Sequence, residues 1–231
     1  MQFPPMPYIK LDRARTHLNL NMDHEYSVLG GINRARIGQV IATVAAAVAS
    51  GLVALLLALV DLAQYLGLGH LVPTLALPPI GAGLVFTALY WLFSRYVWGW
   101  PWARAGLGVP DLRGTWRVDG QTINADEGRT PGFVWSGKIV ITQTWDKLRI
   151  RLTTAQSGSN SMTAALIRDD ADGFRLFYSY RNDPNIGQPE LHSHRGYAEI
   201  TFDHDLKTGV GEYFNGQGRF TFGTMKLTKE P

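Results

Sequence analysis

The 231-residue chain contains no cysteine. Disulfide frameworks, zinc sites built on thiolates and thiol catalysis are therefore excluded together. The sequence also lacks the short motifs of common enzymes: it has no Gly-x-Ser-x-Gly elbow, no His-Glu-x-x-His pair, no Walker loop and no Gly-x-Gly-x-x-Gly after a strand. Nothing in these patterns indicates an enzyme.

Charge is also missing from a long part of the chain. Between Arg36 and Arg95 there is no lysine or arginine, and Asp61 is the only acid. From Asp111 to Pro231 the chain carries 15 basic and 15 acidic residues, so the whole net charge of +3 comes from the first 110 residues. A neutral C-terminal half argues against DNA or RNA as a partner, because such binding needs a basic face. It permits a small anion held by a few arginines.

Two apolar runs occupy the uncharged part. Ile37 to Val60 reads IGQVIATVAAAVASGLVALLLALV, which exceeds the roughly 20 residues needed to cross a bilayer. Pro79 to Val97 forms a second run, whose far end carries the interfacial aromatics Tyr90, Trp91, Tyr96, Trp98, Trp100 and Trp102. We predict two transmembrane helices. The alternative is a pair of buried helices in a soluble protein, which runs of this length without charge disfavour.

The arginines predict the direction of these helices. Four precede the first run, two lie at or beyond the exit of the second run, and the connection between the runs has none: Arg13, Arg15, Arg34, Arg36, Arg95 and Arg104. By the positive-inside rule, both termini of the protein face the cytoplasm. The predicted organisation is a cytoplasmic segment over residues 1–36, a transmembrane hairpin over 37–104 and a cytoplasmic domain over 108–231.

From Leu112 onward, apolar and polar residues alternate with a period of two. Eight segments show the pattern: LRGTWRV, FVWSGKIVITQTW, KLRIRLTT, SMTAALIRD, FRLFYSYRN, YAEITFD, GVGEYFN and RFTFGTMKLT. Most of the connections are short turns, which make neighbouring strands antiparallel. The predicted fold of this half is therefore all-β, a minimal, lipocalin-like, up-and-down antiparallel barrel of about eight strands. Such a barrel has room for packed side chains or for one small ligand.

One inward face ends in polar groups. In the stretch FRLFYSYRN, the side that begins with Phe174 and Leu176 finishes with Tyr180 and Asn182. A phenol and an amide at the end of an apolar face indicate a pocket at the barrel mouth. Alternatively, the same groups bind turn backbone around Pro184. The sequence leaves both interpretations open.

A few further residues are candidates for ligand binding. Guanidinium groups bind phosphate bidentately, which selects Arg195 and Arg219. Aromatic rings stack on bases, which selects Trp116, Tyr180 and Tyr213, although plain barrel core is the alternative for each ring. His192 and His194 form an HSH motif, and His204 is a possible third metal ligand. A metal site on these histidines is disfavoured, because no acid is spaced to complete it.

The order of several motifs resembles a known family. HEYSVLGGINR and the two apolar runs are followed by PDLRGTWRV, FYSYRNDP, HRGYAEITF and GEYFNGQGRFTFG. From Met22 to the C-terminus this order is similar to that of CBASS antiphage effectors, the CD-NTase-associated membrane proteins with two transmembrane helices and a β-strand-rich domain. Its most specific parts are Leu-x-Gly-x-Trp at Leu112, Tyr-x-Asn-x-Pro at Tyr180 and Gly-x-Tyr-Phe at Gly211. After Phe214, where the family leads us to expect further hydroxyl or charged residues, this chain has Asn-Gly-Gln-Gly.

The resemblance implies a function. The β-domain would capture a cyclic dinucleotide made by a partner CD-NTase after phage infection, with no other cofactor. The captured ligand would promote homo-oligomers, and the helices would disrupt the bacterial inner membrane. On this view Arg195 and Arg219 bind the phosphates, Trp116, Tyr180 and Tyr213 stack on the bases, and Asn182 reads a base edge or a ribose.

Three other functions stay open from the residues alone. A membrane-anchored, lipocalin-like barrel for a lipid or small metabolite predicts a deep, uncharged pocket. A hydrolase predicts that His192 and His194 carry catalysis. A scaffold predicts a barrel filled by its own side chains, with no cavity.

Overall fold

The computed structural model describes residues 23–68, 81–124, 132–169, 173–187, 192–216 and 221–231. The described part contains a short strand, a helical section and then eight further strands. The strands are β1 (His24–Leu29), β2 (Gly114–Asn124), β3 (Phe133–Gln143), β4 (Lys147–Thr154), β5 (Ser157–Asp169), β6 (Gly173–Pro184), β7 (His194–Phe202), β8 (Thr208–Asn215) and β9 (Thr221–Lys229). The helices are α1 (Arg34–Tyr65), α2 (Ala82–Arg95) and α3 (Pro101–Leu107), with a 3-10 turn at Val97–Gly99.

Helix α1 contains the first apolar run. Asn33 caps it by accepting a hydrogen bond from the backbone nitrogen of Ala35 at 2.8 Å. Its 32 residues span about 48 Å, and it is the one helix in the described ranges that is long and apolar enough to cross a membrane. Only Ala45 and Ala49 are buried in it, and it packs against α2. Most of its remaining apolar surface faces outward, as in a membrane-embedded helix.

The second predicted span is not confirmed as a span. Helix α2 has 14 residues, or about 21 Å, which is shorter than the ~30 Å hydrocarbon core. Pro79 and Ile80, where the predicted span began, lie outside the described residues. After α2 the chain turns through Val97–Gly99 into α3, which ends at Leu107 and is capped by Gly108 in a left-handed conformation (φ 65°).

The strands form one closed barrel in the order β1-β4-β3-β2-β9-β8-β7-β6-β5. The eight strands predicted from Leu112 onward are present as β2 to β9, and sequence neighbours pair in antiparallel fashion. The count of about eight and the purely up-and-down order need a correction, because a ninth strand belongs to the sheet. That strand, β1, is inserted between β4 and β5 over one part of their length and runs parallel to β5 from Tyr26↔Ala164 to Leu29↔Ile167. Next to their turn, β4 and β5 pair directly with each other. Strand β1 lies inside the segment predicted as a separate N-terminal piece.

One end of the barrel is closed by large side chains. Trp116 is fully buried there against Phe202, with ring centroids 4.9 Å apart, and Trp98 comes in from the helical section. Gln143 ties this end together by accepting from the backbone nitrogen of Leu112 at 2.9 Å and donating to the Tyr26 hydroxyl at 3.2 Å. These buried side chains fill the barrel interior at this end.

The helices are attached to the same end, at the turn between β3 and β4. Tyr90 and Ser94 of α2 donate hydrogen bonds to the two carboxylate oxygens of Asp146, at 2.8 and 3.0 Å. The backbone nitrogen of Trp145 donates to the Ser94 carbonyl at 3.0 Å, and Arg34 of α1 stands 4.4 Å from the centroid of the Tyr26 ring. The barrel is thus fixed to the helices at one end, and its other end points away from them.

Candidate functional site

A cavity of about 330 Å³ opens at the barrel end that points away from the helices. This volume is at the lower end of the range for small-molecule sites. Described residues of β2 to β9 and of the β4–β5 turn line it. They include Thr122, Phe133, Trp135, Leu152, Gln156, Ser157, Ser159, Tyr178, Tyr180, Asn182, His194, Tyr213, Asn215 and Met225. At this end the barrel interior is therefore not filled by its own side chains.

Three aromatic rings of this cavity lie against cross-strand glycines. Trp135 is paired with Gly120, Tyr180 with Gly196, and Tyr213 with Gly223. A Cβ on any of the three glycines would come within 3 Å of the paired ring. Because glycine has no side chain, each ring can lie against the barrel wall instead of projecting into the interior. The glycines therefore keep the cavity open.

Hydrogen bonds hold the rings in place. Tyr213 accepts from Nε1 of Trp135 at 3.0 Å, and its hydroxyl lies 2.7 Å from Oγ1 of Thr122. Tyr180 donates to Oδ1 of Asn215 at 2.9 Å, and Nδ2 of Asn215 donates to Oγ1 of Thr221 at 2.8 Å. The rings are thereby fixed before a ligand arrives, which lowers the entropy cost of binding.

The charge of the lining is close to neutral. Among the described residues that line the cavity there is no lysine, arginine, aspartate or glutamate. His194 is buried and pairs across the sheet with Asn182, so an imidazole and an amide lie side by side at the mouth. Burial raises the pKa of Tyr178, which keeps this phenol neutral. Outside the mouth, a hydrogen bond from Ser193 and the neighbouring Arg181 hold the pKa of Asp183 below its usual range.

The structure places five of the six candidate residues, in three different positions. Tyr180, Asn182 and Tyr213 line the cavity together. Trp116 lies at the opposite, closed end, fully buried, and its Nε1 donates to the Leu112 carbonyl at 3.1 Å, so it has no open face for a base. Arg195 is exposed on the outer face of β7, and Arg219 lies outside the described residues.

The sequence analysis did not predict four other cavity residues. Thr122, Trp135 and Asn215 are hydrogen-bond partners of the tyrosines, and His194 lines the cavity. The alternation pattern contained a signal for two of them. Trp135 shares the inward parity of Ile139 and Ile141 in β3, and Asn215 shares that of Tyr213 in β8. The three histidines considered for a metal do not come together, because His204 follows β7 at the closed end whereas His194 begins it at the mouth. Within the described ranges no group of three histidines or acids is placed to hold a metal ion.

Comparison with known proteins identifies the family. Residues 107–229, which include the strands around the cavity, match the family model described as "Cap15, cyclic dinucleotide receptor domain". Residues 35–99 match the model "Cap15, TM helices". The chain belongs to the Cap15 family. A curated relative, the CD-NTase-associated protein 15 of Yersinia aleksiciae, is 42% identical over 206 residues, covering 89% of this chain and 97% of the relative.

The membership confirms the resemblance to CBASS effectors drawn from the motif order. The chain is an effector of the Cap15 type, with a receptor domain for cyclic dinucleotides and a transmembrane region. The family models describe a receptor and a membrane segment rather than a catalytic domain. The apolar surface of α1 agrees with membrane association.

Proposed function

We propose that the distal cavity is the cyclic dinucleotide site, and that its occupation makes the chain oligomerise and disrupt the bacterial inner membrane. The observation that supports the proposal is the open cavity itself, with aromatic rings and an amide on its wall, inside the region that matches the receptor-domain model. A closed barrel packed with its own side chains would have had no place for such a ligand.

The proposed binding mode follows from the lining. Tyr180, Tyr213 and Trp135 offer faces or edges on which bases stack, at about 1–3 kcal/mol per base. Asn182 and His194 lie together at the mouth and offer an amide and an imidazole for a base edge, a ribose or a phosphate. Trp116 and Arg195 are left out of this site, since one is enclosed and the other faces outward. Arg219 remains a candidate for phosphate binding from the sequence alone.

In the membrane, we propose that the chain crosses twice and that both termini are cytoplasmic. The match of residues 35–99 to transmembrane helices and the arginine distribution support this arrangement. The barrel would then be held close to the inner leaflet through Asp146, with its cavity facing the cytoplasm, where a CD-NTase product is made. A ligand can drive assembly only if it binds the assembled state more tightly than the single chain.

The test uses the full chain in detergent micelles, because β1 belongs to the barrel. Thermal unfolding is followed with cyclic di-AMP, cyclic di-GMP, cyclic GMP–AMP and cyclic UMP–AMP. A ligand at a hundred times its Kd should stabilise the fold by about 2.7 kcal/mol, which raises the Tm by several degrees. Tyr180→Ala and Asn182→Ala should remove the shift. Arg195→Ala is the matched control from the same end of the sheet and should keep it.

A second candidate function is the binding of a lipid or small metabolite. The neutral lining of the described residues favours it, because a dianionic ligand would normally meet placed cations. If none of the four cyclic dinucleotides raises the Tm and extracted membrane lipids do raise it, the cavity is a site for a lipid or small metabolite.

A further inference from the structure

Three polar side chains form a row across the mouth of the cavity, which we call the polar rung: Ser159, Asn182 and His194. Ser159 of β5 pairs with Asn182 of β6, and Asn182 pairs with His194 of β7. All three are buried and line the cavity. A hydroxyl, an amide and an imidazole therefore stand side by side at the open end of the barrel.

The polar rung differs in chemistry from the deeper part of the cavity. On β6, the inward positions that follow Asn182 toward the closed end are Tyr180 and then Tyr178, with ring centroids 5.9 Å apart. The deeper part thus offers aromatic surface, and the rung offers hydrogen-bonding groups. A cyclic dinucleotide has the same division, because its stacking surfaces belong to the bases and its charge belongs to two phosphodiesters. Bases on the inner rings would leave a phosphate at the rung.

His194 is the member of the rung that can carry a positive charge. The described residues that line the cavity include no lysine or arginine, so among them this imidazole alone can become a cation. Its Nδ1 lies 3.1 Å from the carbonyl oxygen of His192, and a carbonyl oxygen can only accept. The neutral ring therefore holds its proton on Nδ1, and Nε2 is the nitrogen that a second proton would occupy.

The surroundings of His194 differ on the two sides of the sheet. Its charged or titratable neighbours on the outer side are Arg181, Asp183, His192 and Arg195, and those inside the cavity are Tyr178, Tyr180 and Tyr213. Ser159 and Asn215, on β5 and β8, are neutral. Glu190 and Arg219 belong to segments outside the described residues. Phenols are uncharged near neutral pH, so a phosphate would be the first charge among the described groups on the cavity side of His194.

We infer that His194 is the phosphate-binding group of the cavity and that it takes up a proton from solvent when a cyclic dinucleotide binds. Burial disfavours the charged form of an imidazole that lacks a counter-charge. A phosphodiester supplies that counter-charge, and a hydrogen bond from the protonated Nε2 to its oxygen is charge-assisted. The neutral lining, which taken alone favours a lipid, thereby becomes compatible with an anionic ligand. The inference rests on the proposed cyclic dinucleotide site and assigns its phosphate contact.

The first test is the pH dependence of ligand binding by the full chain in detergent micelles. The Kd of the cyclic dinucleotide that raises the Tm most is measured between about pH 6 and about pH 8, where histidine titrates and phosphodiesters stay ionised. Because the protonated ring binds the phosphate, affinity should be highest at the acid end and about tenfold lower at the alkaline end. Calorimetry in two buffers of different ionisation enthalpy should show proton uptake near neutral pH.

A pair of histidine variants supplies the second test. His194→Asn keeps a polar side chain at the rung but cannot take up a proton, so its Kd at the acid end should rise by about tenfold and its pH dependence should vanish. His194→Gln is a second neutral variant, and the Tm without ligand shows that each one folds. His192→Asn changes an exposed histidine two residues away and is the matched control, which should keep both the affinity and the pH dependence.

Two results would overturn the inference. An affinity that does not change with pH would mean that no proton is taken up, and an unchanged pH dependence in His194→Asn and His194→Gln would assign the proton to another group. In both cases the Tm shift would still support the cyclic dinucleotide site. If none of the four ligands raises the Tm even at the acid end, the proposed site and this inference both fail.

Discussion

The pairing of cavity rings with glycines gives a sharp prediction at Gly120. A Cβ at this position would lie 2.2 Å from Cε2 and 2.3 Å from Cζ2 of Trp135, and its three nearest atoms all belong to that indole. Contacts below 3 Å do not persist, so in Gly120→Ala the indole must leave the barrel wall. The open space beside it is the cavity of about 330 Å³. We therefore expect the ring to move into the ligand site.

The expected cost has two parts. Overpacking of this kind destabilises by about 1–3 kcal/mol, which lowers the Tm by several degrees. The displaced indole also gives up its hydrogen bond to Tyr213, worth about 1 kcal/mol, and occupies the space of the ligand. The Tm of Gly120→Ala should fall, and the shift produced by the cyclic dinucleotides should disappear.

The assay is thermal unfolding of the full chain in detergent, with and without ligand. Gly216→Ala is the matched control, because the nearest atom to a Cβ there is 3.8 Å away. Replacing Trp135 by leucine in the Gly120→Ala background should recover most of the stability, since the clash involves only the indole. An unchanged Tm and an unchanged ligand shift in Gly120→Ala would refute the role assigned to the glycines.

Three further predictions concern the closed end. Because the Tyr26 ring of β1 is buried in the barrel, Tyr26→Ala should lower the free energy of unfolding by about 3–5 kcal/mol in a denaturant titration, and Tyr26→Phe by only about 1 kcal/mol. An alanine variant as stable as the unsubstituted chain would show that β1 is not needed for the stability of the barrel. Asp146→Ala removes the carboxylate that accepts two hydrogen bonds from α2, so it should destabilise the protein by about 3 kcal/mol, and Asp146→Asn should have an intermediate effect. Unchanged protease resistance of the helix–barrel junction in Asp146→Ala would contradict this prediction. Although burial acts to raise the pKa of Asp111, its hydrogen bonds from Arg113 hold that pKa below the ordinary value of about 3.9. The resulting stabilisation is present above that value and is lost as the pH falls through the lower folded pKa, so Asp111→Asn should lower the Tm at pH 7 and match the unsubstituted chain in strong acid.

Much of the architecture follows from local sequence patterns. The uncharged run that begins at Ile37 is sufficient for α1, because length and apolarity alone satisfy the needs of a helix in lipid. The alternation after Leu112 is sufficient for eight strands and for the inward side of β6, because successive side chains of a strand must point to opposite faces. Tyr180 and Asn182 were placed on the cavity side for this reason. The same parity, counted back from Ile200, also places Arg195 outward.

Other features depended on contacts between distant parts of the chain. Alternation predicts that Trp116 points inward, but only the packing of Trp98 from the helical section and of Leu112 from the segment before β2 decides that its end of the barrel is closed. The short pattern of β1 could not assign the strand to a sheet, because its partners β4 and β5 lie more than a hundred residues away. The cavity depends on register, since a shift of one residue would remove Gly120 from Trp135 and turn every inward side chain outward. Local periodicity thus determined which elements form and which way they face, whereas strand pairing at long range decided which end is open, because only cross-strand neighbours determine whether a ring fills the interior or lies on its wall.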